Sequence, residues 1–127
     1  MNAQKIALIE DDKILSNALY EGLKQEGFEV LRAFDGEEGF SLVEREKPLL
    51  VLLNILLPKM DGLAVARKIK SNPATKDIPI IILTQMDRLD PVVDAVESGV
   101  YDYYVKSDFS VEKIVEIVKN KVKDKLK

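Results

Sequence analysis

The stretch LLVLLNILLPKMDG, residues 49–62, organises the rest of the chain. It begins with five apolar residues, places the polar Asn54 where that run ends, and continues through a Pro-Lys-Met-Asp-Gly turn. An apolar run of this length before a turn predicts a β-strand that is covered on both faces, as in a parallel sheet. A buried strand that ends on one polar side chain presents that side chain to a site, so Asn54 is the first candidate functional residue.

Composition limits both the class of protein and its chemistry. The chain has 127 residues, of which 46% are hydrophobic and 32% are charged, and this predicts one globular domain over residues 1–127. It contains no cysteine and no histidine, which excludes disulfides, zinc–sulfur sites, thiolate nucleophiles and histidine bases. The net charge of −3 argues against direct nucleic-acid binding. Without an apolar run of bilayer length or a signal peptide, we predict a cytoplasmic protein with no membrane contact.

Strand and helix patterns alternate along the chain. Short apolar or alternating segments predict strands at residues 5–9, 28–33, 49–53, 78–83 and 101–105. Apolar residues at helical spacing predict helices at residues 12–26, 37–47, 61–72, 90–98 and 110–125, with Asp12 and Asp61 as caps. The alternation predicts a three-layer α/β domain with a parallel sheet and right-handed crossovers. We adopt the strand order 2-1-3-4-5 from known doubly wound folds, since the pattern alone does not give it.

Polar side chains follow four of the predicted strands, and they are Glu10 with Asp11, then Asn54, Thr84 and Lys106. The carboxyl ends of parallel strands meet at one edge of the sheet, where ligands of such folds bind. Two carboxylates and an amide oxygen suit Mg²⁺, while a lysine and a hydroxyl can hold phosphoryl oxygens. Together these groups are what the transfer of a phosphoryl group requires. Taken singly, an acidic pair is about as often only a group that stabilises a helix N-terminus, and a lone threonine or lysine at a strand end is more often structural or solvated.

Four segments then carry a resemblance to a known family: IALIEDD at residues 6–12, LLNILLPKMDG at 52–62, IILT at 81–84 and GVYDYYVK at 99–106. The chain resembles the CheY-like receiver domains of response regulators in two-component signalling, from residue 5 to about residue 122. The resemblance implies a flavodoxin-like (βα)5 fold and a signalling protein that is not an enzyme. It also implies a sensor histidine kinase or phosphotransfer protein as one partner. A downstream protein would bind the face formed by the fourth helix, fifth strand and fifth helix.

The resemblance assigns roles to the residues at the sheet edge. It implies that Glu10, Asp11 and the backbone carbonyl of Leu56 bind Mg²⁺. It gives phosphoryl-sensing roles to Thr84 and Lys106. It makes Tyr103, which lies three residues before the lysine, the aromatic switch.

The departure from the family lies at its phosphoryl acceptor, which is an aspartate in the family and Asn54 here. An amide carbonyl is neutral and a poor nucleophile, so we expect no phosphorylation at this residue. Asn54 can still offer an oxygen to a metal, but the pocket carries one negative charge fewer and Mg²⁺ should bind more weakly. We also expect Lys106 to lose its charged partner.

Three functions remain open at this point. The first is a receiver domain whose acceptor was removed by engineering or by recent loss, which the intact remainder of the site favours. The second is a natural, phosphorylation-independent pseudo-receiver that serves as an interaction module. The third is a small α/β phosphatase or flavin protein, which the absence of a nucleophilic carboxylate on the third strand and of a Gly-rich phosphate loop argues against.

Overall fold

The computed structural model describes residues 4–84, 102–106 and 110–126, with Tyr103 and Val105 described by their backbone alone. This part of the chain contains five strands: β1 Lys5–Ile9, β2 Glu29–Ala33, β3 Leu50–Asn54, β4 Ile80–Thr84 and β5 Asp102–Val105. It also contains four helices: α1 Lys13–Gln25, α2 Gly36–Glu46, α3 Gly62–Ser71 and α4 Val111–Leu126. Helix α4 corresponds to the fifth predicted helix. The predicted helix at residues 90–98 lies outside the described residues.

The strands form one parallel sheet in the order β2-β1-β3-β4-β5. This confirms the predicted fold class and strand order. In the register, Ile9 lies opposite Leu53, Asn54 opposite Leu83, and Thr84 opposite Val105. The ends of β1, β3, β4 and β5 therefore lie next to one another, and the residues that follow β1 and β5 meet the last residues of β3 and β4.

Aspartates start the first three helices. The side chain of Asp12 accepts hydrogen bonds from the amides of Ile14 and Leu15, and Asp35 and Asp61 cap α2 and α3 in the same way. Asp12 and Asp61 were predicted as caps, and both are confirmed. After α1, Gly27 adopts φ +92°, which is the left-handed conformation expected of a glycine that ends a helix.

The sheet separates two apolar cores. Within β3, Val51 and Leu53 face the core under α2 and α3, while Leu50 and Leu52 face the core under α1 and α4. All five residues of β3 are buried, as the uninterrupted apolar run predicts for a strand covered on both faces. Strand β2 lies at the edge of the sheet, as the adopted strand order requires, and is partly exposed.

Several strand boundaries differ from the predicted ones by one or two residues, and two of these differences have identifiable reasons. Strand β3 includes Asn54, because this residue still pairs with Leu83 although its side chain is polar. Strand β4 begins at Ile80 rather than at residue 78, directly after Pro79. Proline has no amide hydrogen to donate to a ladder, and here only its carbonyl takes part, by accepting from the amide of Val51 at 3.0 Å.

Candidate functional site

Strand β3 delivers Asn54 to the carboxyl edge of the sheet, where its side chain is 5% exposed. The loop that follows turns back tightly over the strand end, because the amide of Gly62 donates to the carbonyl of Ile55 at 2.7 Å. A Cβ atom on Gly62 would lie 2.1 Å from the carbonyl oxygen of Asn54. Only glycine allows the start of α3 to approach β3 this closely.

Strand β1 delivers the acidic pair to the same edge. Glu10 follows the strand directly, its amide donates to the carbonyl of Ala33 at 3.1 Å, and it is 1% exposed. Asp11 is exposed, at the rim of the site. The next residue, Asp12, donates its backbone amide to Glu10 Oε2 at 3.1 Å. The helix cap and the buried carboxylate are thus tied together.

The side-chain nitrogen of Asn54 joins these elements. Its Nδ2 donates to Glu10 Oε2 at 3.1 Å, to Asp11 Oδ1 at 3.0 Å and to the carbonyl oxygen of Leu56 at 2.9 Å. A primary amide carries two N–H groups, so the three acceptors share two hydrogens. We expected Asn54 to offer its amide oxygen to a metal. In the structure the nitrogen faces the acidic pair, because ionised carboxylates and carbonyls only accept hydrogen bonds.

Lys106 pairs with the buried carboxylate. Its Nζ lies 2.6 Å from Glu10 Oε1, and its side chain is only 10% exposed. The expectation that Lys106 lacks a charged partner was therefore wrong. Asn54 carries no charge, and Glu10 supplies the negative group. Burial raises the pKa of Glu10 above its ordinary value, and the hydrogen bond and charge of Lys106, with the amide of Asp12, partly oppose that rise.

The other two predicted site residues lie on the neighbouring strands. Thr84 is the last residue of β4 and is 1% exposed. The backbone of Tyr103 pairs with Ile82 in the middle of β5, and its side chain lies outside the described residues. The structure thus brings Glu10, Asp11, Asn54, the Leu56 carbonyl and Lys106 into direct contact.

Sequence reasoning missed two groups that support the site. The amide of Asp12 binds Glu10, although the sequence analysis gave Asp12 only a capping role. Gly62 was noted only as part of a motif, yet its lack of a side chain fixes how closely α3 approaches β3. The Asp-Gly pair just after the turn was the available signal, since it predicts a capped helix that begins against a strand end.

The oxygen atoms around Asn54 have the chemistry of a magnesium site, but in this arrangement they are engaged by N–H groups. Two carboxylate oxygens and one carbonyl oxygen are the hard ligands that Mg²⁺ prefers. All three accept hydrogen bonds from the side-chain nitrogen of Asn54. In this orientation the nitrogen offers no lone pair to a cation, so the side chain does not act as a fourth ligand.

Comparison with known proteins identifies the family. The family model of the response regulator receiver domain matches residues 6–119. The chain belongs to this family. Its receiver domain is 32% identical over 115 residues to the DNA-binding dual master transcriptional regulator RpaA of Synechocystis sp., and this match covers 91% of the chain and 47% of RpaA. The chain thus spans about half the length of that relative.

Solved structures give the same result. A CheY-like receiver domain protein from Methanospirillum hungatei superposes with a TM-score of 0.89 at 25% identity, over 98% of this chain and 97% of that one. The phosphorylated cyanobacterial phytochrome response regulator RcpA gives a TM-score of 0.82 at 31% identity, over 94% and 91% of the two chains.

Membership of the family answers part of the functional question. Receiver domains are signalling modules rather than enzymes, which removes the phosphatase or flavin-protein alternative. They generally bind Mg²⁺ at an acidic pocket, and they interact with histidine kinases or phosphotransfer partners. In the part of the chain that the structure describes, none of the helices has the length and apolar character needed to cross a bilayer.

Proposed function

We propose that this receiver domain takes part in two-component signalling without accepting a phosphoryl group at residue 54, and that it acts through protein–protein contacts. One observation carries the proposal. The side chain at the end of β3 is an amide whose nitrogen is hydrogen-bonded to Glu10, Asp11 and the carbonyl of Leu56. From the resemblance, we expect the family's acceptor aspartate to correspond to this residue.

The chemistry of the acceptor supports this reading. An aspartate carboxylate attacks phosphorus with an anionic oxygen and forms an acyl phosphate. The amide oxygen of Asn54 is neutral and lacks that nucleophilicity. The positive group that would stabilise an incoming phosphoryl group is also engaged, because Lys106 is 2.6 Å from Glu10.

We propose the remaining roles from the resemblance and the arrangement of the site. Glu10, Asp11 and the carbonyl of Leu56 form the pocket that holds Mg²⁺ in related domains, and Asn54 weakens that binding. Thr84, Tyr103 and Lys106 occupy the phosphoryl-sensing positions.

The partners and setting are proposals of the same kind. A sensor histidine kinase or phosphotransfer protein is the upstream partner, and a downstream protein docks on the face formed by the fourth predicted helix, β5 and α4. We propose that residues 1–127 act as a single receiver domain in the cytoplasm and do not themselves contact nucleic acid. The relative RpaA is described as DNA-binding, but the chain spans only 47% of it.

A natural pseudo-receiver is the second candidate function. The full set of hydrogen bonds around Asn54 favours it, since a pocket that is satisfied without a ligand has no need of a phosphoryl group to be stable. The two candidates differ in what the substitution Asn54→Asp would restore. A receiver that lost only its acceptor regains phosphorylation, whereas a long-standing interaction module does not.

Intact mass after incubation with Mg²⁺ and a small-molecule phosphodonor tests the proposal. We expect the mass of one phosphoryl group to be added to Asn54→Asp and no addition to the parent. Asn120→Ala, which changes an exposed asparagine on α4, is the matched control and should stay unmodified. An adduct on the parent overturns the proposal. An unmodified Asn54→Asp variant leaves the pseudo-receiver as the function.

A further inference from the structure

We infer that the side-chain nitrogen of Asn54 takes the place of a metal ligand in the acidic pocket, holds the other ligand oxygens with its N–H groups and thereby keeps Mg²⁺ out. This inference rests on the proposed function and deepens it, because it says why metal binding is weak. In the parent protein, Asn54 is not only a poor metal ligand. Its N–H groups also compete with the metal for the oxygens of the pocket.

The positions of three oxygen atoms carry the inference. Glu10 Oε2 and Asp11 Oδ1 come from the end of β1, and the Leu56 carbonyl comes from the loop after β3. All three lie 2.9–3.1 Å from Asn54 Nδ2. Mg²⁺ binds oxygens at about 2.0–2.1 Å in a near-octahedral arrangement, so neighbouring ligands of the ion lie about 3 Å apart. The nitrogen of Asn54 therefore stands where a ligand of the ion would stand, and it donates its N–H groups to the other three ligands instead of offering a lone pair.

Charge and burial both strengthen the hydrogen bonds around Asn54. Hydrogen bonds to ionised carboxylates are stronger than neutral ones, and here they form around a side chain that is 5% exposed. Both oxygens of Glu10 have partners: Oε2 accepts from Asn54 and from the amide of Asp12, and Oε1 pairs with Lys106. These partners offset part of the cost of burying the carboxylate without a metal.

Metal binding would require the side-chain amide of Asn54 to rotate, so that its oxygen faces the pocket in place of its nitrogen. As the side chain stands, its N–H groups point at the oxygens that would bind the cation, and their partial positive charge would repel it. Rotating the amide to bring the oxygen inward breaks all three of its hydrogen bonds at once. The substitution Asn54→Ala removes the nitrogen and leaves two carboxylates, one carbonyl and space for the waters that Mg²⁺ retains.

These contacts predict a change in Mg²⁺ affinity that is opposite to the change expected from the number of metal ligands alone. If Asn54 were only a weak ligand, removing its side chain would lower Mg²⁺ affinity further. If its nitrogen competes with the metal, Asn54→Ala should bind Mg²⁺ more tightly than the parent. We expect a gain of at least about tenfold, since the variant breaks no hydrogen bond to admit the metal. Asn54→Asp, with a third carboxylate, should bind more tightly still.

The test is a calorimetric Mg²⁺ titration of the parent, Asn54→Ala, Asn54→Asp and the control Asn120→Ala. The expected order of affinity is Asp above Ala, and Ala above the parent and the control, which should match each other. Equal or weaker binding by Asn54→Ala than by the parent overturns the inference. That outcome leaves the proposed function intact, because the mass measurement on the parent is independent of it.

A second measurement uses the parent protein alone, so its result does not depend on whether a variant folds. The side-chain N–H signals of Asn54 in a ¹⁵N-labelled sample report the hydrogen bonds directly. We expect two well-separated signals that keep their positions when millimolar Mg²⁺ is added. A saturating shift of these signals with Mg²⁺ would show that the metal displaces the Asn54 N–H groups from their hydrogen bonds, and would overturn the inference.

Discussion

Replacing Lys106 with alanine is expected to lower the free energy of unfolding by about 3–5 kcal/mol near pH 7, which is the usual effect of removing one partner of a buried ion pair. Glu10 is 1% exposed, and Lys106 Nζ lies 2.6 Å from its Oε1. The hydrogen bonds from Asn54 and from the amide of Asp12 remain in the variant, but neither supplies a positive charge.

The loss should depend on pH in a defined direction. Burial already holds the pKa of Glu10 above its ordinary value of 4.5, so this group contributes most to stability below that value and less as the pH rises through the native pKa. Removing Lys106 takes away the main influence that lowers this pKa and therefore raises it further. The destabilisation should be small near about pH 4 and should grow toward neutral pH.

Denaturant unfolding at several pH values measures both effects. Lys119→Ala is the matched control, because it removes a 3.1 Å ion pair with Glu26 whose side chains are 39% and 40% exposed. Exposed pairs contribute little, so the control should lose no more than about 1 kcal/mol. Equal losses of unfolding free energy in the two variants would contradict a buried ion pair between Lys106 and Glu10. So would a loss in Lys106→Ala that does not change with pH.

Replacing Gly62 with alanine is expected to destabilise the domain by about 3 kcal/mol or more, since overpacking against backbone leaves no side chain free to move. The new Cβ would lie 2.1 Å from the carbonyl oxygen of Asn54 and 2.7 Å from the Cα of Ile55. To relieve this contact, the start of α3 must move away from β3. The 2.7 Å hydrogen bond from the amide of Gly62 to Ile55 would then lengthen or break.

Thermal unfolding of Gly62→Ala beside Gly22→Ala provides the measurement and its control. A Cβ on Gly22 would lie 2.9 Å from a methyl group of Val115 and 3.8 Å from one of Val111, so it would meet side-chain atoms and no backbone. Alanine also favours a helix interior over glycine by about 1 kcal/mol. The control should therefore stay near the stability of the parent. A Gly62→Ala variant as stable as Gly22→Ala would show that the loop is not held against β3.

Much of the fold follows from local pattern. The apolar run that ends in acids placed β1 at Lys5–Ile9 without error, and the caps at Asp12 and Asp61 placed the starts of two helices. The boundary of β3 was one residue short, because polarity marks where a side chain meets the site and not where backbone pairing stops. The strand order was adopted from known folds, since local sequence does not encode which parallel strands are neighbours.

The sequence predicted which residues meet at this edge of the sheet, but not which of their atoms are in contact. Strand ends brought Glu10, Asp11, Asn54 and Lys106 together as the topology requires. Which end of the Asn54 amide faces the pocket depends on the balance of donors and acceptors around it, which only the folded arrangement fixes. For the same reason, the sequence did not reveal that Lys106 pairs with Glu10 in the absence of an aspartate at residue 54.

The central claim is that Asn54 makes this acidic pocket stable without a metal or a phosphoryl group. The most direct test compares thermal unfolding of the parent and Asn54→Asp in metal-free buffer that contains a chelator. The aspartate would replace three donated hydrogen bonds with like-charge repulsion against Glu10 and Asp11. We predict that the parent melts at the higher temperature. A parent that melts at the same or a lower temperature than Asn54→Asp would contradict the account.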